Sequence, residues 1–252
     1  MEIFSLANER AIVTGGGSGL GEAMARCLIS AGARVVVSGR REDVLREAAA
    51  RLGERASYVV HDVTDESQVD RLVATAAQKN EGPATILINN AGVHLKKPAI
   101  DETSEEWRRL LNVHVLGAMA LTRAVASEML QQGRGSILFV TSMAALFGVP
   151  EVAAYSAAKS AILGLVRGLA LEWSGRGVRV NAIAPGWIDT AMSRRALESD
   201  PDRKDRILMR TPMQKLGEPE DVGWAAVYVC SPQAKFVTGQ QLVVDGGASI
   251  GF

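Results

Sequence analysis

Short runs of β-branched and aliphatic residues alternate with longer segments of helical periodicity along the chain. Strands separated by helices form βαβ units with parallel strands and right-handed crossovers, so helices cover both faces of the sheet. The pattern therefore predicts an α/β fold with a seven-stranded, parallel, doubly wound sheet. The predicted strands are residues 11–14, 34–38, 57–61, 85–89, 136–140, 178–182 and 241–245, and the predicted helices are 19–31, 42–52, 66–78, 104–131 (with Ser104 as N-cap), 155–173 and 218–230.

Residues 193–216 interrupt this alternation. They carry seven Lys or Arg residues against four Asp or Glu residues, and their clearest breaks are Pro201 and Pro212. Ligands of doubly wound sheets bind at the carboxyl edge of the strands, so we predict a small helical substrate lid at about residues 189–216. No Pro- or Ser-rich linker divides the chain, and residues 1–252 are predicted to form one domain.

The charge balance limits the possible partners. The 252 residues have a formal net charge of zero, from 28 Lys and Arg against 28 Asp and Glu. Proteins that bind nucleic acids usually carry a basic face, so we expect no nucleic-acid partner. No apolar run approaches 18 residues and no signal-peptide pattern is apparent, so we expect no membrane span and a cytoplasmic location.

The chain has two cysteines and three histidines. Cys27 and Cys230 lie far apart, and no Cys/His cluster has metal-ligand spacing. We therefore expect two buried free thiols in a reducing compartment and no metal.

A glycine-rich turn follows the first predicted strand. A turn of this kind lets the backbone approach a pyrophosphate, and the next helix supplies N–H donors and a favourable dipole. The glycine spacing is GxxxGxG rather than GxGxxG. It predicts a dinucleotide site in a single-domain Rossmann fold, and the residues of the turn assigned to that site are Gly15, Gly17, Ser18, Gly19, Leu20 and Gly21.

The end of the second strand indicates which dinucleotide binds. An acidic residue there would accept hydrogen bonds from the ribose 2′-hydroxyl, but the strand is followed by Arg40 and Arg41. Guanidinium groups pair with phosphate, so this position favours NADP(H), with NAD(H) possible. Asp62 and Val63, after the third strand, are candidates for holding the adenine; a plain turn-forming role for Asp62 is the alternative.

Tyr155 and Lys159 stand four residues apart on one face of a predicted helix. Acid–base work near pH 7 requires the pKa of a tyrosine to fall from about 10, and a neighbouring ammonium lowers it. Ser142 follows the fifth strand, at the carboxyl edge of the sheet, and its hydroxyl is suited to polarising a substrate oxygen.

Taken together, these motifs resemble those of the short-chain dehydrogenase/reductase family. The resemblance covers essentially the whole chain. Its motifs are TGxxxGxG from Thr14, Asn89-Asn90-Ala91-Gly92, Asn112, Ser142, Tyr155-xxx-Lys159, Pro185-Gly186-xxx-Thr190 and Val244-Asp245-Gly246-Gly247.

The resemblance implies an oxidoreductase acting on CH–OH groups, with Tyr155 as proton donor and acceptor. It implies that Lys159 lowers the pKa of Tyr155 and binds the nicotinamide ribose, that Ser142 orients the substrate oxygen, and that Asn112 holds a water linked to Lys159. It also implies a homotetramer or homodimer formed through the helix 155–173 and the long helix before it. The further cofactor residues that it implies are Asn89, Ala91, Gly92, Pro185, Gly186, Ile188 and Thr190.

We expect a small-molecule substrate, bound by the segments after the fourth, fifth and sixth strands and by the lid. The basic residues Lys96 and Lys97 suggest an anionic substrate, with ordinary surface lysines as the alternative. Within the family the chain resembles the sugar-acid dehydrogenases typified by gluconate 5-dehydrogenase, and also the 3-oxoacyl-acyl-carrier-protein reductases; a broad carbonyl reductase remains open. The predicted substrate residues are His94, Met143, Ala144, Phe147 and Trp187.

A hypothesis of another class is a dinucleotide-sensing regulator that has lost catalysis. The presence of Asn112, Ser142, Tyr155 and Lys159 together argues against it.

Overall fold

The computed structural model describes residues 3–191, 193–194 and 201–251, without the side chains of residues 201–203. Within this part of the chain the strands are β1 (Arg10–Thr14), β2 (Arg34–Gly39), β3 (Ala56–Val60), β4 (Ile86–Asn89), β5 (Gly135–Val140), β6 (Val178–Pro185) and β7 (Gln241–Val244). They form one parallel sheet in the order β3-β2-β1-β4-β5-β6-β7. The predicted fold class is confirmed.

Helices connect the strands and cover both faces of the sheet. Their bounds are α1 (Gly19–Ser30), α2 (Glu42–Leu52), α3 (Val69–Lys79), α4 (Ser104–Leu111), α5 (Ala118–Gln132), α6 (Ala153–Trp173), α7 (Pro201–Arg210) and α8 (Pro219–Cys230). Helices α1, α2 and α8 pack on one face, and α3, α5 and α6 pack on the other. Most predicted bounds agree within two residues; β6 continues three residues further than predicted, to Pro185, and a 3₁₀ turn over Glu66–Gln68 precedes α3.

The two faces of the sheet have separate aliphatic cores. Val13 and Val37 pack with α1 and α8, whereas Ile12 and Val36 pack with α3 and α5, because successive side chains of a strand point to opposite faces. Burying each such side chain contributes about 1.5–3 kcal/mol. Phe139 is the largest fully buried side chain. The interior strands are therefore fixed in place, and their carboxyl ends form a rigid edge.

The predicted helix 104–131 is continuous, but its N-cap is Thr103 and not Ser104. Thr103 Oγ1 accepts a hydrogen bond from the Glu106 backbone N–H at 3.2 Å, and Glu106 Oε2 accepts one from the Thr103 N–H at 2.7 Å. The Glu at the third helical position makes this reciprocal pair possible one residue before Ser104. In the middle of the helix, Asn112–Gly117 is a π-helical segment, which adds a residue to the turn.

The stretch Ser104–Gln132 has an 18-residue window of mean hydropathy 1.3, and by length and composition alone it could cross a membrane. This differs from the expectation that no segment has that character. Buried core helices also meet this criterion, and α5 buries Leu121, Val125 and Met129 in the core beneath the sheet.

Part of the predicted lid is helical, as expected. Helix α7 begins at Pro201 and ends at Arg210, between the two prolines that mark the segment. The Arg210 guanidinium lies 4.2 Å from the centroid of the Phe147 ring and donates a hydrogen bond to the Ala248 carbonyl at 3.2 Å. Residues 192 and 195–200 of the predicted lid, and residues 1, 2 and 252 of the predicted domain, lie outside the described residues.

Candidate active site

A cleft of about 670 Å³ lies along the carboxyl edge of the sheet. Strand order reverses between β1 and β4, and such a switch point opens a crevice between the loops that leave the two strands. Three neighbouring interior strands each deliver a residue to it: Gly15 follows β1, Asn90 follows β4 and Ser142 follows β5. The cleft is large enough for a drug-sized or larger ligand.

The glycine turn forms one end of the cleft. Gly19 has a φ of +56°, a conformation that favours glycine, and a Cβ there would meet nothing within 4 Å. A Cβ on Gly21 would instead collide with the Gly15 carbonyl. Ser18 precedes α1 without capping it through its side chain, so N–H groups of the first turn remain available to an anion.

The far end of the cleft carries Arg40 and Arg41, both exposed. Neither takes part in an ion pair with the described residues. Asp62 also lines the cleft, and its Oδ1 accepts hydrogen bonds from the Thr64 N–H at 3.0 Å and hydroxyl at 2.8 Å. Asp62 is thus a turn-forming residue and a cleft residue at once.

The residues of the cleft suit a nicotinamide dinucleotide. The glycine turn and the open N-terminus of α1 suit a pyrophosphate, and the two exposed guanidinium groups suit a 2′-phosphate. Ser38 Oγ is buried without a partner among the described residues and lines the same end. Buried polar groups are normally hydrogen-bonded, so this hydroxyl is also consistent with a ligand at that end.

Ser142, Tyr155 and Lys159 meet on one wall of the cleft. The Ser142 hydroxyl lies close enough to the Tyr155 phenol to lower its pKa. Lys159, 5% exposed, donates to the Val140 carbonyl at 2.7 Å and lies 5.7 Å from the Tyr155 ring centroid. The helical spacing of four residues brings the phenol and the ammonium to the same wall, as the sequence predicts.

Burial disfavours the charged form of both groups. Burial raises the pKa of Tyr155, and the neighbouring Ser142 hydroxyl partly counteracts this rise. Burial also lowers the pKa of Lys159 to about 7. The expected lowering of the Tyr155 pKa by Lys159 is therefore not seen in this structure. The Lys159 ammonium donates to the Val140 carbonyl, and burial is the largest influence on the pKa of Tyr155.

Three predicted site residues lie outside the cleft. Asn112 is exposed, so its position does not support the predicted contact with a water beside Lys159. Asn89 lines a small inner cavity behind Lys159 instead, where its Nδ2 donates to Thr122 Oγ1 at 2.9 Å. Phe147 is covered by Arg210. The remaining predicted site residues all line the cleft.

The structure adds cleft residues that were not assigned to the site from the sequence, among them the buried His114. Leu110 is buried. His114, four residues later, shares its helical face, whereas Asn112, two residues later, points away from that face. That spacing distinguishes buried His114 from exposed Asn112. The other added residues are Ser38, Gly39, Val44, Leu45, His61, Asn90, Val93, Lys96, Val113, Val140, Thr141, Val149, Val152, Ala191 and Ser193.

Lys96 and Lys97 differ in position, although the sequence treats them alike. Lys96 lines the cleft and pairs with Glu151 at 3.2 Å. Lys97 lies outside it and pairs with Glu106, the capping residue of α4, at 3.1 Å. Much of the excess positive charge expected here is thus neutralised by partners, and only Lys96 is placed to meet a substrate.

The chain belongs to the short-chain dehydrogenase/reductase family. A family model described as enoyl-(acyl carrier protein) reductase matches residues 15–249. The chain is accordingly an oxidoreductase acting on CH–OH groups, and the family uses NAD(P), which confirms the predicted class of enzyme and cofactor.

Individual relatives span almost the whole chain. It is 37% identical to gluconate 5-dehydrogenase of Gluconobacter oxydans (strain 621H) over 252 residues, 99% of this chain and 98% of the relative. It is 38% identical to the NADP-dependent (R)-specific alcohol dehydrogenase of Lentilactobacillus kefiri over 250 residues, 96% of this chain and 97% of the relative. A crystal structure of a putative NAD(P)-dependent gluconate 5-dehydrogenase from Beutenbergia cavernae with bound NADP superposes with a TM-score of 0.91 at 40% identity, covering 97% of this chain and 98% of that one.

Proposed function

We propose that the protein is an NADP(H)-dependent dehydrogenase that interconverts a secondary alcohol and a ketone, with Tyr155 as the acid–base and a sugar acid or related hydroxy acid as substrate. The observation that carries the proposal is the convergence of Ser142, Tyr155 and Lys159 on one wall of a dinucleotide-sized cleft.

The chemistry of this wall is proton transfer to and from one oxygen. When bound, the nicotinamide ring would donate hydride to the ketone carbon or accept it from the alcohol carbon. Ser142 Oγ donates a hydrogen bond to the substrate oxygen, and Tyr155 Oη gives that oxygen its proton during reduction and removes it during oxidation. The Lys159 ammonium favours the phenolate that reduction leaves on Tyr155. In the direction of reduction, one ketone, one NADPH and one proton are converted to one alcohol and one NADP⁺.

The preference for NADP(H) rests on Arg40 and Arg41. Both face the cleft, both lack ion-pair partners among the described residues, and no acidic residue ends β2. NADP in the Beutenbergia cavernae structure and the NADP dependence of the Lentilactobacillus kefiri relative support the same choice.

The substrate class rests on two observations. The relatives that match nearly the whole chain include a gluconate 5-dehydrogenase, and the Lys96 ammonium lines the cleft near the catalytic wall. A carboxylate at the far end of a hydroxy acid would find a partner in Lys96 while its hydroxyl meets Ser142 and Tyr155.

The direct test is turnover of NADP⁺ with gluconate and of NADPH with a keto-gluconate, followed at 340 nm. We expect Tyr155→Phe to lower kcat by 10²-fold or more, because general acid–base catalysis contributes about that much, while leaving NADPH binding intact. Wild-type protein that binds NADPH but turns over no alcohol or ketone would contradict the proposed reaction and support a dinucleotide sensor.

Lys96→Ala and Lys97→Ala form a matched pair for the substrate. We expect Lys96→Ala to raise the KM for the acid by about 2–5-fold, the size of a partly exposed ion pair, and to leave the KM for a neutral ketone unchanged. Lys97→Ala removes the same charge outside the cleft and serves as the control. Equal effects of Lys96→Ala on acidic and neutral substrates would rule out the anionic class.

A neutral ketone is the second candidate, because Met143, Val149 and Trp187 give the substrate end an apolar lining. The relative from Lentilactobacillus kefiri is an alcohol dehydrogenase, and the family model carries an acyl-carrier-protein reductase description. The same NADPH assay with an aryl ketone, a 3-oxoacyl thioester and a keto-gluconate separates the three substrate classes. The class with the highest kcat/KM is the one that the site prefers.

We also propose a cytoplasmic homodimer or homotetramer, as the family resemblance implies. Leu171 on α6 and Leu116 on the long helix are exposed apolar side chains on the two helices concerned. Light scattering on wild type and on Leu171→Lys tests this: a monomeric wild type contradicts it, and dissociation by the added charge supports it.

A further inference from the structure

Glu151 is a charged residue beside the catalytic wall to which the proposed function gives no role. It lies between two residues that line the cleft, Val149 and Val152, but it is not itself among the described residues of that lining. Tyr155 follows four residues later, in the first turn of α6. Glu151 thus lies at the rim of the substrate end of the cleft.

The backbone of Glu151 adopts a conformation that residues with side chains disfavour. Its φ is +64°, in the left-handed region, where glycine is the usual residue. Its carbonyl accepts a hydrogen bond from the Lys97 N–H at 2.7 Å, which holds this turn against the loop after β4. The turn therefore keeps an acidic side chain where glycine would fit with less strain, and strain of this kind concentrates at functional sites.

The Glu151 carboxylate holds the Lys96 ammonium at the rim of the cleft. Its Oε2 lies 3.2 Å from Lys96 Nζ, and the exposed fractions are 43% for the Lys96 side chain and 44% for the Glu151 side chain. Lys96 lines the cleft, whereas Glu151 contacts it from the neighbouring turn. An ammonium has three N–H donors, so a second acceptor can approach Lys96 from the cleft.

The loop that carries Lys96 also contacts the catalytic tyrosine. The His94 ring lies against the Tyr155 ring, with centroids 4.9 Å apart. Two residues of extended chain span at most about 7 Å, so Lys96 extends from the same part of the wall as the phenol. A sugar acid whose hydroxyl meets Tyr155 can therefore bring its carboxylate to the Lys96 ammonium.

We propose that Glu151 is a specificity-determining residue: its carboxylate competes with the carboxylate of an acidic substrate for the Lys96 ammonium, and so sets how strongly the site prefers acids to neutral ketones. Both carboxylates are acceptors for the same charged donor, so binding of the acid weakens the pair with Glu151. The inference rests on the proposed function, in which Lys96 receives the substrate carboxylate.

Glu151→Gln is the direct test, because it keeps the shape of the side chain and removes its charge. We expect the KM for the acid to fall about 2–5-fold, the size of a partly exposed ion pair, with kcat and the KM for a neutral ketone unchanged. Damage to the turn would raise the KM rather than lower it. A KM for the acid that stays the same or rises overturns the proposal.

The matched control is Glu106→Gln. It removes the carboxylate that pairs with Lys97 outside the cleft, so it should leave the KM values for the acid and for the neutral ketone unchanged. A fall in the KM for the acid as large as that in Glu151→Gln would show a general effect of net charge, and would overturn the specific role of Glu151.

Two further variants separate the carboxylate from the turn that carries it. Glu151→Gly also removes the charge and suits the positive φ, so it should lower the KM for the acid as much as Glu151→Gln does. In Lys96→Ala there is no ammonium to compete for, so adding Glu151→Gln should then change the KM less than about twofold. An effect confined to Glu151→Gly, or a full effect without Lys96, overturns the competition.

Binding without turnover separates this inference from the proposed function. Gluconate added to the complex with NADPH cannot be oxidised, so isothermal titration gives its Kd directly, and Glu151→Gln should lower that Kd about 2–5-fold. If the wild type reduces only neutral ketones, the acidic substrate class fails, but Glu151→Gln should still bind gluconate more tightly than the wild type does. If gluconate binds neither protein, or both equally, the inference about Glu151 fails as well.

Discussion

At the scale of single residues, the buried ammonium of Lys159 predicts a pH-dependent stability. Burial lowers its pKa from 10.5 to about 7, whereas in the unfolded chain the ordinary value returns. Between these values the unfolded chain binds more protons than the folded protein, so stability rises with pH across this window. We therefore compare the melting temperatures of the cofactor-free wild type and of Lys159→Met at each pH. The difference, wild type minus variant, should increase by several degrees from about pH 6.5 to about pH 9.5.

The control for Lys159→Met is Lys235→Met, which removes an exposed ammonium. Its melting temperature should differ from the wild type by the same amount at every pH. A wild-type advantage over Lys159→Met that stays flat or falls with pH would contradict the buried, destabilised charge.

A second prediction for a single residue concerns Arg40 and the preference between NADPH and NADH. Replacing it by Asp removes a guanidinium from the cleft and adds a charge that repels a 2′-phosphate. A hydrogen bond to a charged group contributes about 1.5–3 kcal/mol, so Arg40→Asp should raise the Kd for NADPH about 10–100-fold and leave that for NADH within a few-fold. Isothermal titration measures both. Arg46→Asp, on α2 outside the cleft, is the matched control; unchanged NADPH affinity in Arg40→Asp would refute the phosphate site.

The residue types and spacings of the sequence predicted that Ser142, Tyr155 and Lys159 meet on one wall of the cleft. They did not predict the direction in which other side chains point. Tyr155 and Lys159 share a wall because a helix repeats every 3.6 residues. Asn112 and His114 lie only two residues apart, yet one is exposed and the other buried, and the motif alone did not distinguish them. Lys96 and Lys97 separate for a different reason, since Glu106 draws Lys97 away from the cleft. Such ion pairs are visible only once the chain is folded.

At the scale of elements, the start of α4 gives a prediction that distinguishes neighbouring residues. Thr103 caps the helix through its hydroxyl, whereas Ser104 is the first helical residue. Thr103→Ala should lower the free energy of unfolding by about 1 kcal/mol, and Ser104→Ala should stay within about 0.5 kcal/mol of the wild type. Urea denaturation measures both. A larger loss in Ser104→Ala would show that the cap lies one residue later, as the sequence predicted.

Alternation of strand and helix patterns predicted nearly every element, because each pattern has its own period. The π-helical segment Asn112–Gly117 was not predictable in this way, since its residues read as ordinary helix. Its position follows from packing: a Cβ on Gly117 would collide with the Val63 carbonyl at the mouth of the cofactor cleft. The π-helical segment therefore packs against Val63 of the cleft and also carries His114.

At the scale of the whole molecule, α1 and α8 pack against each other on one face of the sheet and carry the two buried cysteines. A Cβ on Gly223 of α8 would meet Cys27 Sγ at 2.5 Å, so the glycine leaves the room that the Cys27 side chain occupies between the helices. Burial raises the pKa of Cys27 and of Cys230 to about 11. Thiolate is the reactive form, so neither thiol of the folded protein should react with a disulfide reagent at pH 8.

The rate at which these thiols react therefore reports how often the fold opens. Cofactor binding stabilises the folded state and should slow the reaction. A ligand at 100 times its Kd stabilises the folded state by about 2.7 kcal/mol, which corresponds to roughly 100-fold slower labelling if the helices separate only when the whole domain unfolds. Cys27→Ala and Cys230→Ala each leave one thiol, and NADP⁺ should slow both variants equally. Arg40→Asp at the same NADP⁺ concentration should be protected less. If NADP⁺ slows Cys230 but not Cys27, then α1 opens locally, and the sheet does not unfold as one unit.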